Sequence, residues 1–451
     1  MTSGCFIKLF TKLFTVALIA VYADIIPAHG ESWSLRQLTT DTTANHGITI
    51  AGTPFSADGQ WICYDSAKAS IRDASLIKLV NVAAGMQVTV YDAKSVPGAG
   101  PGVAAVRYFP GEDRRVIFIH GPVKSTGLTY ERWRRFGAIV DTRTHALTHA
   151  DARDVTPPFT PGALRGGTHV HVPGGPSNQW IGFTYDDAVM TAEGESIGKN
   201  WDVRTVGVTR LGIPVHVDAD AENWDGAGFS VVLAQVTPDP RPGTDDLRRA
   251  EGDCWVGREG YEKEGKLQMA RAFVGTLSDG ARDVFVVDIP DDITDAGAAP
   301  LEGTKHTYPA PPKGTTLRRL TRVGTVSGDV RSKADGTLLV FHAKDSTAKE
   351  QLFSMPTTGG AAVPLTAFAD GVNSDACFHS SDQWLAVASG NRLYRVYLVK
   401  AGDTPRVESF YDGPLPGPPM NLSFSPDGSR LAMNLAVNGV QQVFVLERSV
   451  D

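Results

Sequence analysis

The sequence predicts an all-β fold, a seven-bladed β-propeller, from three observations: an excess of turn-forming residues, a recurring turn phrase, and a fixed spacing between its copies. Gly (47) and Pro (28) make up about a sixth of the 451 residues, above the roughly 12% of ordinary proteins, which argues against a helical bundle. Phe424-Ser425-Pro426-Asp427-Gly428-Ser429-Arg430-Leu431-Ala432 reads as a strand end, a tight turn and a second strand. Phe55-Ser56-Ala57-Asp58-Gly59-Gln60-Trp61-Ile62 is a near copy, and Phe378 to Leu385 and Ala334 to Leu339 are weaker ones. Aligned on turns at 335, 381 and 427, the last three copies are twice 46 residues apart. A period in the forties with a hairpin in each unit means four-stranded sheets that bury their faces only against neighbouring copies.

Degenerate copies fill the rest of the ring. Tyr108 to Asp113 followed by Val116 to Ile119 reads as the second blade, and Gly174 to Asn178 followed by Trp180 to Phe183 as the third. Phe229 to Val236, with Ala272 to Val274 and Val284 to Ile289, supplies a fourth, split by an insertion at about 238–271 that reads as a lid. Turns near 58, 111, 176, 237, 335, 381 and 427 give seven blades, with six and eight as the neighbouring counts. Ile77 to Val82 and Gln442 to Leu446 read as third strands, and the last blade then lacks an outer one. Ser34 to Thr39 resembles Leu317 to Thr321 and is expected to supply it, closing the ring and removing its free edges. Pro290 to Thr316 reads as a connector between blades.

Residues 1–30 read as a secretory signal: Lys8 and Lys12 precede an uncharged apolar stretch from Leu13 to Tyr22, then a polar, turn-prone segment. Small residues at 28 and 30 place cleavage after Gly30, with Ala23 as the alternative. The apolar run is shorter than the roughly 20 residues that span a bilayer, so a periplasmic or secreted protein with no stable membrane span is expected, 31–451 forming one domain. At 42% hydrophobic and 21% charged the chain is well cored, and Lys+Arg 43 against Asp+Glu 50 disfavours a nucleic-acid partner. Of the cysteines beyond the signal, Cys63, Cys254 and Cys377, at most two could pair, and they read as small core hydrophobes.

The turn phrases resemble the TolB-type propeller repeat, found also in oligogalacturonate lyases and in dipeptidyl peptidase IV relatives. A closer likeness comes from Asp154 to His171, with Thr156-Pro157-Pro158-Phe159-Thr160-Pro161-Gly162 and Gly166-Gly167-Thr168-His169-Val170-His171 at its heart, together with Phe183 to Asp187, Phe118 to Pro122 and Asn45-His46. These phrases resemble the YidR family. The resemblance implies a TolB-like propeller distantly similar to oligogalacturonate lyase, and no activity comes with it.

His169 and His171 are two apart on an expected innermost strand, so their side chains should share a face and could begin a site for a divalent metal such as Mn, Zn or Ca; no other cofactor is indicated. Innermost strands of different blades face one another across the axis, so His46 and His120 are the leading candidates to complete the site or act as bases. Arg165 precedes Gly166-Gly167, where a backbone can approach a ligand closely and the guanidinium can fork onto a carboxylate. Arg204, Tyr185 and Asp187 are candidate substrate-binding residues. Asp218, Asp220 and Glu222 read as a solvated loop rather than a glycosidase carboxylate pair. No Gly-x-Ser-x-Gly elbow, Walker loop or His-Glu-x-x-His is present.

Two functions follow. The first is an exported metal-dependent lyase acting on uronate-containing oligosaccharides by β-elimination, with His169 and His171 holding the metal, His46 or His120 as base and Arg165 neutralising charge. The second is a non-catalytic envelope propeller that binds a protein or glycan partner.

Overall fold

The computed structural model describes residues 25–27, 32–49, 53–93, 102–122, 127–220 and 222–449. They form seven four-stranded antiparallel blades. In chain order these span 45–92, 104–149, 166–232, 249–319, 326–364, 377–411, and 420–448 joined by 33–37. The expected closure is present. Trp33–Gln37 pairs antiparallel with Val440–Arg448, placing Leu35 opposite Leu446. Arg36 is 2.9 Å from Glu447, the Leu38 amide donates to Val443 O at 2.8 Å, and the Thr39 hydroxyl donates to Gln442 Oε1 at 2.7 Å.

The turn phrase works through its own side chains. The Ser56 hydroxyl donates to Asp58 at 2.6 Å and accepts the Trp61 amide at 3.0 Å. Ser425 does the same with Asp427 at 2.5 Å and the Arg430 amide at 3.0 Å. Each aspartate accepts the amide two residues on, from Gln60 at 2.9 Å and Ser429 at 3.0 Å. The glycines sit at φ 68° and 73°, where only a residue without Cβ is unstrained. Neighbouring turns are also tied together: the Asp58 amide donates to Asp113 at 3.1 Å and the Ala334 amide to Asp382 at 2.9 Å.

The core is divided among the seams between blades. Cys63, Ile77, Val106 and Phe118 fill the first seam, Val206, Phe229, Phe273 and Phe285 the third, and Ile62, Tyr64, Ala432 and Val445 the seam where the chain's two ends meet. Between blades two and three the apolar set shrinks to Phe109, Ile117, Ile139, Ala150 and Ile181, and buried polar groups take up the remainder. The three described cysteines are free, and burial pushes the Cys254 and Cys377 thiols up to about 12 and about 11.

Three readings need correction. Phe229 lies in the outer strand of blade three, Gly226–Val232, and the innermost strand of blade four, Arg249–Trp255, lies inside the segment read as an insertion. Only 256–269 departs from the hairpin pattern, folding into a ribbon of Tyr261–Lys263 against Lys266–Gln268. That ribbon replaces the Ser-x-Asp-Gly turn, so the blade has no phrase to announce it. The segment read as a connector joins the third and outer strands within blade four, Arg282–Asp288 and Thr316–Arg319. A helix, Ala188–Ser196, capped by Asp187, follows the second strand of blade three. The cleavage positions, Gly30 and Ala23, lie outside the described residues; between them Ile25–Pro27 pairs parallel with Val407–Ser409 on blade six.

Deleting residues 31–39 is expected to lower the midpoint of urea unfolding by the equivalent of several kcal/mol, from lost burial of Leu38, Leu35 and Trp33 and from the exposed edge. Ser425→Ala is expected to cost about 1–2 kcal/mol, by removing a hydroxyl that serves two partners. Equal stability of the truncated and full chains would show that the ring does not depend on this strand.

Candidate functional site

Five innermost strands are kinked at the same level. Register shifts fall between Ala104 and Arg107, His169 and Val172, Glu251 and Cys254, Ser327 and Arg331, and Met420 and Ser423. Inside each bulge one residue has left-handed backbone: Ala105 (φ 59°), Val170 (50°), Gly252 (64°), Gly328 (62°) and Asn421 (57°). For β-branched Val170 this conformation is strained by about 1–2 kcal/mol. All five residues line one cavity of about 570 Å³ on the axis of the ring.

The bulge overturns the shared-face reading of the histidine pair. With Val170 in the left-handed region, alternation stops between positions 169 and 171. His169 lines the axial cavity. His171 is buried in the seam between blades two and three, its Nε2 2.9 Å from Thr168 Oγ1 and 3.9 Å from Asp151. A Cβ on Gly137 would lie 2.9 Å from its ring. Burial and the nearby Arg107 hold the His171 pKa down to about 3.

The other two histidines are also off the axis. His46 is fully buried, edge-on to Tyr64 at 5.4 Å. His120 stacks on Phe136 at 4.8 Å, with Nε2 2.7 Å from the Tyr91 hydroxyl, and burial lowers its pKa to about 4. The residues present therefore do not fit a divalent metal: the imidazoles diverge, and among the described residues no group of three or more His, Cys, Asp or Glu could hold one.

Arg165 is a structural clamp rather than a ligand arm. Its guanidinium, fully buried, reaches Asp187 at 2.9 and 3.1 Å and donates to Thr307 O at 2.9 Å and to Thr304 O. Tyr185 donates to the same Asp187 oxygen at 2.9 Å, and Asp187 also caps the helix through the Met190 amide at 2.8 Å. This cluster pins the long loop of blade four onto blade three. The adjacent glycines admit the chain's own backbone: a Cβ on Gly167 would lie 2.1 Å from Arg132 O. Of the candidate substrate-binding residues only Arg204 lines the axial cavity, held by Asp186 through contacts of 2.9 and 3.1 Å.

The cavity wall holds charged residues that the sequence reading did not single out. Arg107 is fully buried and its pKa is lowered to about 10 by desolvation. Arg282 is 3.5 Å from Glu251, which also meets Arg249 at 2.7 Å. Asp253 pairs with the buried Arg271 behind the wall, and Asp329 lies 3.4 Å from Arg331. Asp65 accepts the Ala105 amide at 2.8 Å, and burial raises its pKa to about 7. His169 is kept neutral, far below the ordinary imidazole value, by burial and then by Arg135, Arg204, His171 and Arg107. Gly252-Asp253, Gly328-Asp329 and Asn421, aligned by blade, are the signal that could have pointed to this ring of bulges.

Asp65 makes a pH-dependent contribution of definite sign. Its folded pKa of about 7 is above the ordinary carboxyl value of 3.8, so the folded chain binds the proton more tightly and stability falls as pH rises between these values. Asp65→Asn is expected to match the wild type near pH 4 and to exceed it in urea-unfolding stability at about pH 8. A stability gap that does not change with pH would contradict this.

Residues 102–223, from blade two to the end of the acidic loop of blade three, match the family described as Protein of unknown function (DUF3748). Among solved structures, an oligogalacturonate lyase from Vibrio parahaemolyticus superposes with TM-score 0.41 at 12% identity, covering 94% of this chain and 98% of its own. An oligogalacturonate lyase in complex with manganese gives 0.38 at 13%, covering 96% and 97%. TolB from Acinetobacter baumannii gives 0.37 at 12%, covering 87% and 81%. At these identities the likeness is one of fold. The Escherichia coli (strain K12) chain described as "Uncharacterized protein YidR" is 32% identical over 419 residues, 88% of this chain and 94% of its own, and the protein belongs to the YidR family.

Proposed function

We propose that the protein is an exported propeller that captures a carboxylate-bearing oligosaccharide, a uronate-containing chain, in its axial cavity. The observation that carries this reading is the set of guanidinium groups beside His169: Arg107, Arg204 and Arg282 line the same cavity, and Arg135, Arg204 and Arg107 add to burial in holding the ring neutral. On the same wall Asp253 pairs with Arg271, Glu251 with Arg249 and Arg282, Asp329 with Arg331 and Arg204 with Asp186, and burial raises the Asp65 carboxyl to about 7. Guanidinium groups bind carboxylates through two parallel hydrogen bonds, and about 570 Å³ is a size suited to a small ligand. Export is supported by the charge and hydropathy plan of residues 1–30. Among the described residues no helix is long and apolar enough to cross a membrane.

A second reading, elimination on the bound uronate, is favoured by Asp65 alone. Its carboxylate would take the proton from the carbon next to the sugar's carboxylate. The electron pair would form the C=C bond as the C–O bond to the neighbouring sugar breaks, and water would protonate the leaving oxygen. Arg204 and Arg282 would hold the charge that develops on the carboxylate.

Calorimetric titration with oligogalacturonides is expected to show binding that weakens with salt, survives chelator, and drops about tenfold in His169→Ala and Arg282→Gln. Equal binding of a neutral oligosaccharide, or none of the acidic one, would overturn the reading. A new ultraviolet band of an unsaturated uronate, lost in Asp65→Asn, would separate catalysis from capture.

A further inference from the structure

A second cavity of about 340 Å³ adjoins the first and shares Gly328 and Asn421 with it. Its wall comes from blade five, the link to blade six, and blade seven, and its charged residues are Glu350 and Asp375, with no lysine or arginine. His342 also faces it. This side chain is 6% exposed, and its Nε2 is buried without a hydrogen-bond partner. Ser327, opposite His342 in the register of the blade, donates its hydroxyl to Glu350 Oε2 at 2.6 Å, which fixes that carboxylate at the wall. Asp375 is 3.8 Å from Arg331, too far for a direct hydrogen bond.

Two carboxylates and an imidazole nitrogen that offers its lone pair in the Nδ1–H tautomer make a site of acceptors. A buried imidazole nitrogen left without a partner costs free energy, and a donor from a ligand would recover it. A metal ion would require these groups to converge at about 2.0–2.6 Å, and among the described residues no such group exists. Donors carried on a larger ligand can be met at hydrogen-bond distance by acceptors set further apart. A primary ammonium has three of them and the matching charge.

We infer that this cavity is a second subsite that receives a primary ammonium group. The two cavities together then take a ligand with a carboxylate at one end and an unsubstituted amine at the other, such as a uronate–hexosamine chain that is not N-acetylated. Only the carboxylate end rests on the function proposed above. The amine end stands on His342, Glu350 and Asp375.

Calorimetry with glucosamine and with N-acetylglucosamine tests the subsite directly, because acetylation removes the charge and two donors while leaving the ring. Glucosamine is expected to bind at least about tenfold more tightly. The ratio is expected to fall to near one in Glu350→Gln, whose amide oxygen can still accept from Ser327; Asp375→Asn serves as a second variant if the first melts early. Equal affinity for the two sugars, no affinity for either, or a preference for Mn²⁺ over glucosamine would overturn the proposal. An oligogalacturonide carries no amine, so its failure to bind would count against the axial site and leave this one standing.

Discussion

Each blade presents two apolar faces and can cover them only with the faces of its neighbours, so the structure depends on closing the ring. A sheet with Ile62, Tyr64 and Val80 on one side and Cys63, Ile77 and Leu79 on the other has no stable existence alone. Packed between the first and last seams it loses both faces to neighbours. The strand Trp33–Gln37 completes the last sheet with hydrogen bonds from residues at the far end of the chain. An open ring would have two raw faces and an unpaired strand edge. Closure also creates the axis, where residues from five or more sheets meet without any being near in sequence.

The same constraint explains where the site is. Around most of the ring the seams are apolar, but between blades two and three the packing gives way to His171, Asp151, Thr168 and Arg153, all buried. Many of their polar atoms find partners in one another and in the loop carrying Trp133, whose carbonyl accepts from Arg153 at 2.6 Å, while His171 Nδ1 and Arg153 Nε are buried without one. The polar seam leads to the axial cavity at His169. Charge is arranged across the axis as well, with guanidinium groups facing the cavity from blades two, three and four and the carboxylates of Glu350 and Asp375 lining the neighbouring cavity of blade five.

How much could be read from the sequence depended on whether the cause was local. The turn phrase is legible because Ser425, Asp427 and Gly428 satisfy one another within six residues; such chemistry repeats wherever the letters do. Blade number followed from it, and ring closure from the likeness of Ser34 to Thr39 to Leu317 to Thr321. Blade four was misplaced because a ribbon replaces its turn, and the helix Ala188–Ser196 follows a strand with no apolar helical stripe to mark it. The histidine pair failed for a different reason. Nothing in valine announces a left-handed backbone; its branched side chain argues for the reverse, and only the packing of the assembled ring imposes it at Val170. The glycines at 252 and 328 and Asn421 were better clues. They became informative only once the blades had been aligned.

The pairing of the first strand with the last hairpin has a consequence for synthesis. Trp33–Gln37 emerges from the ribosome long before its partner, Val440–Arg448. Until then blade seven has no sheet to belong to, and the growing chain must remain an incomplete arc held by contacts between adjacent units. Its last step is a loop closure across all seven blades, a slow kind of contact for a chain to find. A nascent protein of this design stays pliable until both strands have been made, and locks only when they find each other.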